Sequence, residues 1–129
     1  MYSHMMVGSN DLDRSKKFYD AIFTATGGKP GFMDPKGRLI YSNKGSLFLV
    51  TKPINGEAAT HANGSTIGFA MDSPEQADAW HKAGVEAGGT PIEDAPGVRE
   101  GAGLKLYLAY LRDPDGNKLC ALHRLPQDQ

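Results

Sequence analysis

The chain has 129 residues, within the range of one ordinary domain and long enough to bury a core without metal or disulfide staples. Its 14 lysines and arginines against 15 aspartates and glutamates leave a net charge of −1, which gives no bulk electrostatic drive toward nucleic acid. Cys120 is the only cysteine, which excludes an intrachain disulfide, and no apolar run approaches the roughly 18 residues that a membrane span needs.

At the N-terminus, MYSHMMVGSND lacks the basic-then-apolar build of a signal peptide, so a soluble, cytoplasmic protein is expected. Within it HMMV, at 4 to 7, is a short strand-like run. The stretch SNDLDRSKKFYDAIFTATGG follows, with Asn10 or Asp11 as N-cap. Leu12, Phe18, Tyr19, Ile22 and Phe23 recur at helical spacing before Gly27-Gly28. Three strand-like runs come next, at 30 to 34, 38 to 43 and 46 to 51, broken by Asp34-Pro35-Lys36-Gly37 and Asn43-Lys44-Gly45. A polar linker occupies 54 to 64, with His61 as a solvated loop residue.

TIGFAM, at 66 to 71, opens the remainder like a second HMMV. A second helix is signalled by Ser73 as N-cap, Pro74 at the first helical position and Gln76 completing a capping box; Ala77, Trp80, Gly84 and Ala87 share one face. Strands are expected at 91 to 98, 104 to 112 and 117 to 123, with the Gly-rich REGAG at 99 to 103 and the DPDG turn at 113 to 116 between them.

The course is therefore run twice. Gly27-Gly28-Lys29-Pro30 and Gly88-Gly89-Thr90-Pro91 close the two helices at the same offset that sets Tyr19 against Trp80. Such a repeat decides how the pieces assemble. Each half reads strand, helix, strand, strand, strand, and one half exposes a sheet face that it cannot bury alone. The expected fold is α+β: a single domain of two modules, 1–53 and 65–126, joined by 54–64.

A strand opening on His4, the helix NDLDRSKKFY, the strand NGSTIGF and the hairpin YLRDPDGNK together resemble the vicinal oxygen chelate superfamily. That superfamily includes glyoxalase I, bleomycin-resistance proteins, extradiol dioxygenases and fosfomycin-resistance enzymes, and the likeness covers nearly the whole chain. It implies two tandem βαβββ modules forming an eight-stranded cup, a homodimer, and a divalent metal held in the cup from the first and last strands of each module.

Taken position by position, the resemblance places His4 at the first ligand site, Phe48 at the second, Thr66 at the third and Cys120 at the fourth. An imidazole is a good ligand and a thiolate can bind zinc, but phenylalanine has no donor atom and a hydroxyl is a weak one. His4 and Cys120 remain the candidate metal ligands, short of the three that a catalytic zinc site normally has. Cys120 reads more readily as a small buried hydrophobe, since free cysteine is among the most buried residue types. If Arg112 pairs with Asn117 across the DPDG turn, Ala109 faces Cys120 and Tyr107 shares its side of the sheet, where it could stack on a ligand. Arg99, in the loop GVREGAG, is a candidate to capture an anionic group.

Three functions compete. One is binding of a small organic molecule, with His4, Phe48, Thr66, Arg99, Tyr107 and Cys120 as candidate contacts and no complete metal site. Another is a divalent-metal-dependent lyase or dioxygenase acting on vicinal oxygens. The third is metal-free catalysis with His4 as general base. The first is preferred, with no nucleic-acid or membrane partner expected.

Overall fold

Asp11 starts the first helix by leaving it. Its backbone is extended (φ −153°, ψ 99°) and its carboxylate accepts the Arg14 N–H at 3.1 Å, satisfying one of the free donors of the first turn. A computed structural model describes residues 1–126. It contains β1 (His4–Gly8), α1 (Leu12–Thr24), β2 (Phe32–Met33), β3 (Leu39–Asn43), β4 (Ser46–Thr51), β5 (Ile67–Ala70), α2 (Pro74–Glu86), β6 (Thr90–Pro91), β7 (Gly97–Gly101), β8 (Leu104–Arg112) and β9 (Lys118–Arg124). The capping residues expected for α2 are in use: Ser73 Oγ accepts the Gln76 N–H at 3.0 Å, and Gln76 Oε1 accepts the Asp72 N–H at 2.7 Å. Gln76 Nε2 also donates to Thr26 O, tying the start of α2 to the end of α1.

The strands form two sheets, in the orders β1-β4-β3-β2 and β5-β9-β8-β6, with β7 also paired to β8. In each, the opening strand lies parallel to the last, β1 on β4 and β5 on β9, a pairing that needs the long crossover supplied by the helix and the intervening strands. The strand expected at 91 to 98 is divided. Residues 92 to 96 leave the sheet, with Glu93 at φ 58°, so β6 and β7 both lie along β8. For the same reason the described residues hold nine strands where eight were expected. REGAG is not a loop either: Arg99 and Glu100 belong to β7, and the turn is Ala102-Gly103, both at positive φ, as a tight two-residue hairpin demands.

One core serves both halves. Phe18, Tyr19 and Ile22 of α1 and Trp80 of α2 are fully buried in it, together with Val50 from the first sheet and Leu111 from the second. The two helices approach closely at Gly84, where an added Cβ would lie 3.1 Å from Ile22 Cγ2 of α1 and 2.3 Å from Leu111 Cδ1 of β8.

The linker is pinned to this frame. Asn10 accepts the Ala59 N–H at 2.7 Å and donates to Ala59 O at 3.3 Å. The DPDG turn, from the far end of the sequence, packs on the start of α1. Asp115 has a fully buried carboxylate that accepts from Asn10 N, Arg14 Nη2 and Ser15 Oγ.

Candidate functional site: an aromatic-floored cavity between the two sheets

Register decides which side chains can meet, because a slip of one residue turns every side chain to the opposite face. In the first sheet His4 pairs with Leu47 and Met6 with Leu49, while Phe48 and Val50 sit on the other face with Met5 and Val7, toward α1. In the second sheet the turn is longer than expected. Asp113 N donates to Asn117 O, and Asp113 Oδ1 accepts the N–H groups of Asp115 and Asn117, so Asn117 belongs to the turn. Arg112 therefore pairs with Lys118, and Tyr110, not Ala109, lies opposite Cys120. Tyr107 pairs with His123 on the reverse face, and its hydroxyl donates to Asp78 of α2 at 2.6 Å. The expectation that Tyr107 and Cys120 share a face is corrected by this one-residue shift.

A cavity of about 650 Å³ opens between the unpaired edges of the two sheets, β1 on one side and β5 on the other. Its floor is aromatic. Phe48 and Phe69 stand edge to face with ring centroids 5.4 Å apart, and Phe23 lies 5.3 Å from Phe69 and 5.8 Å from Phe48. Its mouth is formed by residues 2–5, the end of α1, the β3–β4 turn and the start of α2. Among the described residues, Lys29, Lys44, Asp72 and the imidazole of His4 are the charged or basic side chains on its wall. Lys44 Nζ lies 3.7 Å from Asp72 Oδ2, an exposed pair that spans the mouth from one sheet to the other.

Of the six candidate contacts, His4 and Phe48 border the cavity, but from opposite faces of the first sheet. His4 is exposed, with Ser3 Oγ 2.7 Å from its Nδ1, and Phe48 is buried within the aromatic floor. Thr66 is exposed just ahead of β5 and is not on the wall. Arg99 is committed to its own chain, donating to Asp94 O and Ala95 O. Cys120 is buried beside Tyr110. Burial pushes its thiol pKa up, against a smaller lowering by the Tyr110 hydrogen bond. A raised pKa keeps a thiol protonated and a poor nucleophile.

The divalent metal implied by the resemblance can be tested on these donors. Leu47 is the cross-strand neighbour of His4, Phe48 faces the helices, and Cys120 is off the cavity wall. Among the described residues no group of three or more His, Cys, Asp or Glu side chains is placed to hold an ion. The donors of this single chain do not fit such a centre.

Sequence reasoning missed the rim. Lys29 follows the glycine stop of α1 and Lys44 occupies the tip of the β3–β4 hairpin at φ 51°, both positions that read as ordinary solvated turns. Asp72 and Phe69 draw no functional reading, Phe23 is expected only on the apolar face of the first helix, and the gap between the sheets is what makes the two rings part of a floor.

The family model for the Glyoxalase/Bleomycin resistance protein/Dioxygenase superfamily matches residues 2–121. The chain belongs to this superfamily. A glyoxalase/bleomycin resistance protein from Albidiferax ferrireducens T118 is 60% identical, with a TM-score of 0.92 over 96% of this chain and 99% of that one. More distant superfamily structures share the fold. A glyoxalase/bleomycin resistance protein/dioxygenase family enzyme from Burkholderia phytofirmans PsJN has 20% identity and a TM-score of 0.73 over 95% of this chain and 98% of that one. A glyoxalase-related enzyme from Fulvimarina pelagi has 20% identity and a TM-score of 0.70, with coverages of 95% and 87%. No functionally curated protein matches the chain. Among the described residues, no helix is long and apolar enough to cross a membrane. Superfamily membership fixes the two-module α+β architecture and leaves the chemistry to the site, since one fold hosts many reactions.

Proposed function

We propose that this protein binds a small organic molecule in the cavity between β1 and β5, without the superfamily's usual metal. The observation that carries the reading is the pairing of an aromatic floor, in which Phe23 and Phe69 are partly exposed, with a wall of described residues on which His4 is the sole imidazole. A volume of about 650 Å³ falls in the range of small-molecule sites, and an apolar lining with a few polar anchors is what binding alone requires. Phe48 contributes to the floor that meets the ligand and His4 stands at the mouth; Thr66, Arg99, Tyr107 and Cys120 belong to the supporting structure. The modules 1–53 and 65–126 supply the two walls, joined by 54–64.

The partner in solution is a second copy of the chain. The face of the first sheet that carries His4 also exposes Phe32, Met6 and Leu47, a set of apolar side chains that suits a homodimer contact. A single unpaired thiol fits a reducing, cytoplasmic setting.

The second reading is a divalent-metal-dependent lyase or dioxygenase, favoured by the exposed His4 at the first ligand position and by a dimer that brings donors from two chains together. Metal content after growth with added zinc, nickel, manganese or iron separates the two. Substoichiometric metal, unchanged in His4→Ala, supports binding alone. Stoichiometric metal lost in His4→Ala establishes the metal enzyme.

A further inference from the structure

We infer that the preferred ligand is an aromatic or similarly flat apolar anion, held by its ring on Phe23, Phe48 and Phe69 and by its negative group at Lys44 and Lys29. This rests on the cavity being the binding site and adds the chemical class. The floor supplies ring faces and edges, which favour a flat apolar body. The rim supplies the sign. Two lysines and one carboxylate, Asp72, border the opening, and among the described residues its other walls are uncharged apart from His4. Arg99, the cation that the sequence offered for this task, is held by its own carbonyls away from the cavity.

Lys44 is free to exchange partners. Its contact with Asp72 is long at 3.7 Å, and both side chains are about three-quarters exposed, at 76% and 73%. An anion entering over the aromatic floor replaces Asp72 as the lysine's neighbour, and the displaced carboxylate returns to water at little cost. A cationic ligand would meet two ammonium groups instead.

The test uses three probes of one shape: 2-naphthoate, 2-naphthamide and 2-naphthylmethylammonium. Each is titrated by NMR while following the side-chain N–H of Trp80, the chain's only tryptophan, whose ring lies 6.4 Å from Phe69. Naphthoate is expected to bind tightest, to weaken by roughly 3- to 10-fold in Lys44→Gln and to tighten in Asp72→Asn. Naphthamide is expected to bind all three proteins alike. These side chains are exposed at the rim, so the variants leave the fold intact, and unchanged melting temperatures verify it. Equal binding of naphthamide or the ammonium overturns the charge preference while leaving the cavity as the binding site. Absence of any shift with all three probes overturns the cavity reading and this inference with it.

Discussion

Tyr19 and Asp113, 94 residues apart in sequence, join the two halves of the molecule inside the core: the phenol of α1 donates to the carboxylate of the closing hairpin at 2.5 Å. Tyr19 is fully buried, and its hydroxyl pKa is raised well above the usual value, first by burial and then by the neighbouring Asp113 charge. Asp113 is in turn raised by burial, against hydrogen bonds from Tyr19 and Asn117 that hold it down. Both effects follow from placing a charge-bearing pair where water cannot reach it.

Removing the hydroxyl isolates this link. Tyr19→Phe keeps the ring packing and takes one donor from a buried carboxylate, which should cost about 1–3 kcal/mol. Urea unfolding measures it. A loss within 0.3 kcal/mol of zero would show that Asn117 and the turn amides already satisfy Asp113.

Gly84 tests the helix–helix contact. In an exposed helix, alanine in place of glycine stabilises by about 1 kcal/mol. Here the new methyl meets Leu111, Ile22 and Phe18, at 2.3, 3.1 and 3.4 Å. Overpacking of about 1–3 kcal/mol outweighs the propensity gain, so Gly84→Ala should lower the melting temperature.

The pH dependence has a computable sign at Asp20. Burial raises its pKa, but Lys16, the Tyr41 hydroxyl and the Gly31 N–H together leave it lowered from 3.8. A carboxylate with a depressed folded pKa contributes stability that is complete above the unfolded value and is lost as pH falls through the folded one. The stability difference between the natural protein and Asp20→Asn should therefore be largest near neutrality and shrink below about pH 4. Denaturant curves at pH 7, 4 and 3 check the trend.

Cys120 should resist thiol reagents. At 5% exposure, with a pKa raised by burial, it should react with a disulfide reagent at pH 8 at least about 100-fold more slowly than in unfolded protein. The single cysteine makes the count unambiguous. Rapid stoichiometric labelling of the folded chain would refute the buried placement.

Arg99→Gln and Tyr107→Phe should leave naphthoate affinity within about twofold of the natural protein. Their side chains are bound to Asp94 and Ala95 carbonyls and to Asp78, away from the cavity. The NMR titration described above serves here without change.

Local chemistry was legible where it is set by neighbours in sequence. Asp11, Ser73 and Gln76 cap the helices they were expected to cap, and Asn43-Lys44-Gly45 makes its turn. Failures came where one residue of phase matters. DPDGN closes a loop that includes Asn117 because the Asp113 carboxylate needs its amide, and that preference for five residues over four turned Tyr107 away and Tyr110 inward. Phe48 was matched to a ligand position without knowledge of the β1–β4 register, which puts it toward α1. The cavity could not be read from the sequence because it lies between two sheet edges whose separation depends on helix packing.

The two hairpin turns occupy corresponding places in the repeat but are fastened very differently. The β8–β9 turn is locked to α1 by the buried carboxylates of Asp113, at Tyr19, and Asp115, at Ser15, and Asn117 Nδ2 donates to Gly8 O. At the other end the β3–β4 turn meets the approach to α2 through the exposed Lys44–Asp72 pair, a contact worth at most about 1 kcal/mol. Parting the first of these contacts would break several buried hydrogen bonds, whereas the Lys44–Asp72 pair at the cavity's mouth can exchange its partners for water or a ligand at little cost while the shared core stays packed.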